Sequence, residues 1–242
     1  MRKGSLYCKT PMRLISEDSP YSGYLNKTWD RAVLKLGCEY TYELSREDFY
    51  IYLLIHLTKH YSGGGTGIRS FMDIWVYRNR YKDEMDWDYI EAELEKTGLR
   101  EFTENICGLG EVWFGSGQDN ALYEEMTEYI FSSGAYGTRK NAVISSMNIK
   151  SSKKHSAKIS KCLYSLRLFF PPLSTMKIQY PFLGEVPKLL PACWVLRGIR
   201  CLLFKRKHTL QMINKVHSVS EKDMIRIGSL HEKAGLLRKG AQ

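Results

Sequence analysis

The apolar positions of this chain fall mostly into helix-length runs bounded by caps, glycines and prolines. The run Phe49 to Tyr61 follows Ser45-Arg46-Glu47-Asp48, which places a capping serine and two acids where a helix starts. A long buried helix is expected there, stopped by Ser62-Gly63-Gly64-Gly65-Thr66-Gly67. A second helix is expected from Ile68 to Tyr81, with Phe71, Ile74, Trp75 and Arg78 at helical spacing. Asp86 caps a third, Trp87 to Lys96, which Gly98 closes. Leu99 to Phe114 and Asn120 to Ser132 read as two more. Further on, a helix over Ala157–Phe169 ends at Pro171-Pro172, and Pro181, Pro187 and Pro191 divide the chain into short pieces. Helical pattern resumes over Leu189 to Lys207. The last helix starts at Ser220, with Asp223 at the capping-box position, and ends at Gly235. Residues 1–28 read as extended or irregular, and the alternation in Cys38 to Leu44 suits a short strand. The expected fold class is predominantly α and multi-helix, with a short extended or β segment near the N-terminus.

Length and charge divide this picture. The 242 residues suit one or two domains, and 43% hydrophobic residues suffice for a sizeable core. Residues 1–150 carry a net charge of −4 and residues 151–242 carry +14, so the overall +10 belongs to the C-terminal part alone. A uniformly basic nucleic-acid binder is a poor description of this chain. A basic region that meets RNA, an anionic surface or an acidic protein through residues 153–239 is not. The expected organisation is a lead-in segment over 1–44, a helical domain over 45–135, a Ser-, Asn- and Lys-rich linker over 136–156, and a basic helical region over 157–242. The six cysteines lack C-x-x-C pairing and read as reduced, mostly buried thiols of a cytoplasmic protein. Met1-Arg2-Lys3 has no apolar run behind it, so no signal peptide is expected. Leu189 to Phe204, the most apolar stretch, carries Arg197 and Arg200 and falls short of the ~20 residues of a membrane span.

Candidate chemistry concentrates at one corner. His56, Lys59 and His60 fall within one helical turn before the glycines, and Arg69 and Asp73 stand four apart after them. Two cations beside the backbone N–H groups of a helix start suit a phosphate. A structural turn with a capping histidine and an Arg69–Asp73 ion pair suits the same residues. His56 and His60 have the spacing of a zinc pair but lack a third ligand, and no metal site is expected. The glycine run is not a P-loop. Asp86-Trp87-Asp88, the one D-x-D, reads as a helix cap rather than a metal site. Gly4-Ser5 and Gly115-Ser116 have no D-x-D at a useful distance downstream. Lys205-Arg206-Lys207-His208 and Lys153-Lys154-His155 suit RNA or an anionic membrane, or a solvated helix end and loop.

The run from Glu47 to His60, with Gly65-Thr66-Gly67-Ile68-Arg69-Ser70-Phe71-Met72-Asp73-Ile74, resembles the uncharacterised nucleotidyltransferase family of Firmicutes, in the DNA polymerase β-like superfamily. The similarity continues through Asp86-Trp87, Gly98-Leu99-Arg100-Glu101-Phe102 and Val112-Trp113-Phe114-Gly115. It extends to Phe169-Phe170-Pro171-Pro172, Tyr180-Pro181-Phe182-Leu183 and Trp194-Val195-Leu196-Arg197. The resemblance implies transfer of a nucleotidyl group from an NTP, with Mg²⁺, to an unknown acceptor. It implies that Lys59 and Arg69, with His56 and His60, contact the nucleotide phosphates and that Asp73 orients Arg69. The family's catalytic α/β part carries a G-S element and three carboxylates on strands. Lys9-Thr10-Pro11-Met12-Arg13 stands where the third carboxylate is expected and offers none. The resemblance therefore implies a helical C-terminal portion, truncated at its N-terminus or working with a separate catalytic half, with weak or no activity alone. The alternative is a non-catalytic helical binding module that uses its basic C-terminal region.

Overall fold

A computed structural model describes residues 21–148, 157–204 and 206–236. The chain is predominantly helical. Two short helices, α1 (Ser22–Asn26) and α2 (Thr28–Arg31), lead into a small antiparallel pair, β1 (Val33–Leu34) and β2 (Tyr42–Glu43). Val33 pairs with Glu43 and Leu34 with Tyr42; β2 falls in the alternating Cys38–Leu44 stretch, and β1 lies before it. Residues 21–28, expected to be irregular, thus include a helical turn.

Next come α3 (Arg46–Gly63), α4 (Ile68–Tyr81), α5 (Trp87–Thr97) and α6 (Arg100–Phe114). Their starts obey the local chemistry. The Asp48 amide donates to Ser45 Oγ at 3.0 Å, and the Tyr89 amide donates to Asp86 Oδ1 at 3.1 Å. Gly98 ends α5 at φ 67, the left-handed conformation that a residue without Cβ adopts without strain. The later elements are α7 (Ala121–Ser133), α8 (Arg139–Asn148), α9 (Ala157–Phe169), α10 (Leu173–Gln179), two 3₁₀ turns (Pro181–Gly184 and Pro187–Leu189), α11 (Leu190–Phe204), α12 (Arg206–Ser218) and α13 (Glu221–Lys233). Ser220 and Asp223 form the expected capping box on α13. Helix α8 lies inside the Ser-, Asn- and Lys-rich stretch, and it buries Val143, Ile144 and Met147.

The chain divides into two compact units. The first comprises residues 1–59 and 70–118, the second residues 60–69 and 119–242. In the first, α3 buries Tyr50, Ile51, Leu54, Ile55 and Leu57, and α4 to α6 bury Phe71, Ile74, Ile90, Leu94, Phe102, Ile106 and Leu109. Gly110 lets α6 approach α4 closely: a Cβ there would stand 3.2 Å from Trp75 Cδ1. The second unit has a core of Met126, Tyr129, Ile130, Val143, Ile144, Met147, Met224, Ile227 and Leu230 from α7, α8 and α13. A smaller cluster in the same unit joins Met176, Leu183 and Cys193, with Leu173, Tyr180, Leu190 and Trp194 around it.

The described cysteines are free thiols, but they are not mostly buried. Cys193 is buried, Cys38, Cys107 and Cys201 are half-buried, and Cys162 is exposed. Small and weakly polar, a thiol is tolerated on partly wet helix faces as well as inside. No helix among the described residues is long and apolar enough to cross a membrane.

Candidate functional site

Helix α3 is buried over a broad face, and the remaining face carries Phe49, Tyr52, His56, Lys59 and His60. Phe49 stacks on Tyr52 at 6.1 Å between ring centroids, and Tyr52 stacks on His56 at 5.9 Å, so three rings run along the helix toward its C-terminal end. His56 is half-buried, whereas Lys59 and His60 are exposed in the last turns. Thr58 turns its hydroxyl back to the Leu54 carbonyl at 2.8 Å on the buried side. The helical spacing that grouped these three residues in the sequence is realised.

The glycines after α3 have a packing role. Gly64 and Gly65 have φ of 155 and 99, and the Gly65 amide donates to the His60 carbonyl at 3.0 Å. The Thr138 amide donates to the Gly64 carbonyl at 3.0 Å. A Cβ on Gly65 would collide with the Ser133 side chain, and one on Gly67 would stand 2.9 Å from Ala135 Cα. One on Gly137 would stand 2.6 Å from the Gly65 carbonyl. Backbone meets backbone here, which explains the glycines without any phosphate. Beyond them, Arg69 opens α4 and Asp73 follows one turn later, both exposed.

Among the described residues no group of three His, Cys, Asp or Glu side chains is placed to share a metal ion. Asp86 is a helix cap and Asp88 an exposed first-turn residue of α5. Gly4-Ser5, Cys8, Lys9 to Arg13 and Lys153-Lys154-His155 lie outside the described residues, as do Lys205 and the side chains of Arg206 to His208.

A polar network in the first unit has no counterpart in the spacing argument. Asp48, only 4% exposed, accepts from Tyr24 Oη at 2.5 Å, Arg31 Nε at 3.0 Å and Tyr89 Oη at 3.0 Å. Arg31 also lies over the Tyr24 ring, 4.4 Å from its centroid. Burial and the bond to Asp48 push the Tyr24 hydroxyl far above its ordinary range, and the same causes raise Tyr89. Burial works against the Arg31 charge, yet the Asp48 carboxylate holds its pKa above the ordinary value. Both tyrosines remain neutral donors. The network ties α1, α2 and α5 to the first turn of α3. An acid in the first turn of a helix was legible. That this acid is buried and shared by three donors was not.

Two further groups carry titratable chemistry. Burial raises the Cys107 pKa, so it remains a thiol, 3.3 Å from the Tyr50 hydroxyl. In the second unit His231 is 1% exposed and sits against Tyr61 and Tyr129, 5.6 Å from each ring. Burial pulls its pKa down to about 4, so the ring is neutral near pH 7.

No curated protein and no solved structure matches the chain. Residues 10–115, which contain the α3 face, the glycine turn, Arg69, Asp73 and the Asp48 network, match the model of a family described as an uncharacterised nucleotidyltransferase.

Proposed function

We propose that the chain serves nucleotidyl transfer, binding a nucleoside triphosphate for delivery of its nucleotidyl group to an acceptor. The match of residues 10–115 to the nucleotidyltransferase family carries this reading. Lys59 and Arg69 contact the phosphates, His56 and His60 add hydrogen-bond donors, and Asp73 orients Arg69. The exposure of Lys59, His60 and Arg69 at helix ends is compatible with these roles. The acidic charge of an NTP is offset by the two cations, which is also how a developing charge on departing pyrophosphate would be stabilised.

Mg²⁺, which the family resemblance implies, does not fit the described side chains. Asp48 is already surrounded by Tyr24, Arg31 and Tyr89, and Asp86 is spent on capping α5. No metal-dependent step is assigned to these residues.

Calorimetric titration of the full chain with each NTP tests the reading. We expect binding that weakens with salt, and a loss of about tenfold or more in affinity for Lys59→Ala and for Arg69→Ala, the size of a lost charge-assisted hydrogen bond. Absence of NTP binding by the unaltered chain, or unchanged affinity in both folded variants, would overturn it.

A further inference from the structure

We infer that the outward face of α11 is a docking surface for an anionic lipid bilayer. This inference stands apart from the nucleotide site and does not depend on it.

The helix is held by its inner side. Leu190, Cys193 and Trp194 belong to the small apolar cluster with Met176 and Leu183. The Trp194 indole N–H donates to the Pro171 carbonyl at 2.9 Å, and Phe170 meets the Trp194 ring edge-on at 5.4 Å. Arg197 donates to Gln179 Oε1 at 3.1 Å. These contacts fix the rotation of α11 about its axis, so the composition of the opposite side follows from the fold. That side carries Ala192, Val195, Leu196, Ile199 and Leu203, at the i, i+3, i+4 spacing of one stripe. Val195 is 63% exposed, Leu196 57%, Ile199 49% and Leu203 70%. A solvated helix normally places polar residues there, so a continuous apolar stripe marks an interaction surface.

Charge selects the occupant. Between residues 157 and 204 there are seven Lys and Arg and a single acid, Glu185. Lys188 and Arg200 are exposed near the stripe, whereas Arg197 lies on the held side of the helix. A second copy of the same face would bring these cations against each other. RNA would satisfy the cations but leave the aliphatic stripe in water. An anionic membrane surface satisfies both: acyl chains accept the aliphatic side chains while headgroups meet Lys188 and Arg200. The geometry of binding is flat. Fifteen residues at 1.5 Å each make a helix of about 22 Å, shorter than the ~30 Å hydrocarbon core, and the cations interrupt the face that would cross it.

Vesicle flotation of the full chain tests this, with phosphatidylcholine alone and with phosphatidylcholine–phosphatidylglycerol mixtures at low and high salt. Binding is expected only with the anionic lipid, reduced but not abolished by salt. The double variant Ile199→Gln, Leu203→Gln should lose about tenfold in vesicle affinity through its apolar contacts. Arg200→Gln should lose about fivefold through one juxtamembrane charge. Should the double variant misfold by circular dichroism, Leu196→Gln alone replaces it, with a smaller loss expected. Absence of binding to anionic vesicles overturns the inference, as does anionic binding indifferent to the apolar substitutions. Self-association that the double variant abolishes, or RNA binding that Arg200→Gln weakens, likewise overturns it where no vesicle binding accompanies either.

Discussion

The first unit places a carboxylate where a helical bundle ordinarily places an aliphatic side chain, and the second unit does the reverse on α11. Asp48 is buried at the start of α3 among two tyrosine hydroxyls and a guanidinium. Val195, Leu196, Ile199 and Leu203 stand exposed. Each arrangement is unfavourable alone. The buried acid is tolerated because three donors replace the water it lost. The exposed stripe has no such compensation among the described residues of its own unit, whose nearby core lies on the opposite side of the helix. The difference separates a polar group that serves the fold from apolar groups that the fold does not use.

Substitution is the sharpest way to break this contrast. Asp48→Ala leaves Arg31, Tyr24 and Tyr89 facing an absent acceptor, and urea unfolding should show a loss of about 4 kcal/mol, within the range for buried pairs broken on one side. A loss under about 1 kcal/mol would mean that the network is ornamental to the first unit.

His231 gives a second test, because it is a buried titratable group of the other unit. Its folded pKa, about 4, lies below the ordinary 6.5, so between those values the unfolded chain binds a proton that the folded chain refuses. The stability it contributes is complete above pH 6.5 and is lost as pH falls toward 4. The wild type should lose about 3 kcal/mol over that window relative to His231→Phe, measured as urea midpoints from pH 7 to pH 4. Parallel pH profiles for the two proteins would show that His231 is not refused its proton. The smallest expected effect sharpens the comparison from the exposed side. Leu196→Gln should change stability by less than about 0.5 kcal/mol, because more than half of the side chain stays in water in the folded chain. A loss above about 1 kcal/mol would show that the stripe is already covered.

How much of this was legible follows from the range of each interaction. Ser45, Asp86 and Ser220 cap helices through amides three residues away, and the sequence displays both partners at once. The face shared by His56, Lys59 and His60 is equally local. Helix α8 was hidden because Ser, Asn and Lys dominate its surroundings, and only Val143, Ile144 and Met147 show its inner side. The packing role of the glycine run did not show because its neighbour, the Ser133–Thr138 segment, lies about seventy residues onward. No periodicity reports such a contact. The Asp48 network failed to show for the same reason, and the nucleotide roles of Lys59 and Arg69 still rest on family likeness and their position at helix ends.

That separation along the chain has a kinetic consequence. The bonds from Asp48 to Tyr24, Arg31 and Tyr89 close loops of 24, 17 and 41 residues, whereas the helices they tie together are held by contacts four residues apart. Loop closure must precede the reward of such bonds, so they consolidate after the helices have formed. Interactions that form late act on the barrier to unfolding rather than on the barrier to folding. The buried acid therefore works as a latch on the finished first unit: its loss should quicken opening while leaving the rate of assembly almost as it was.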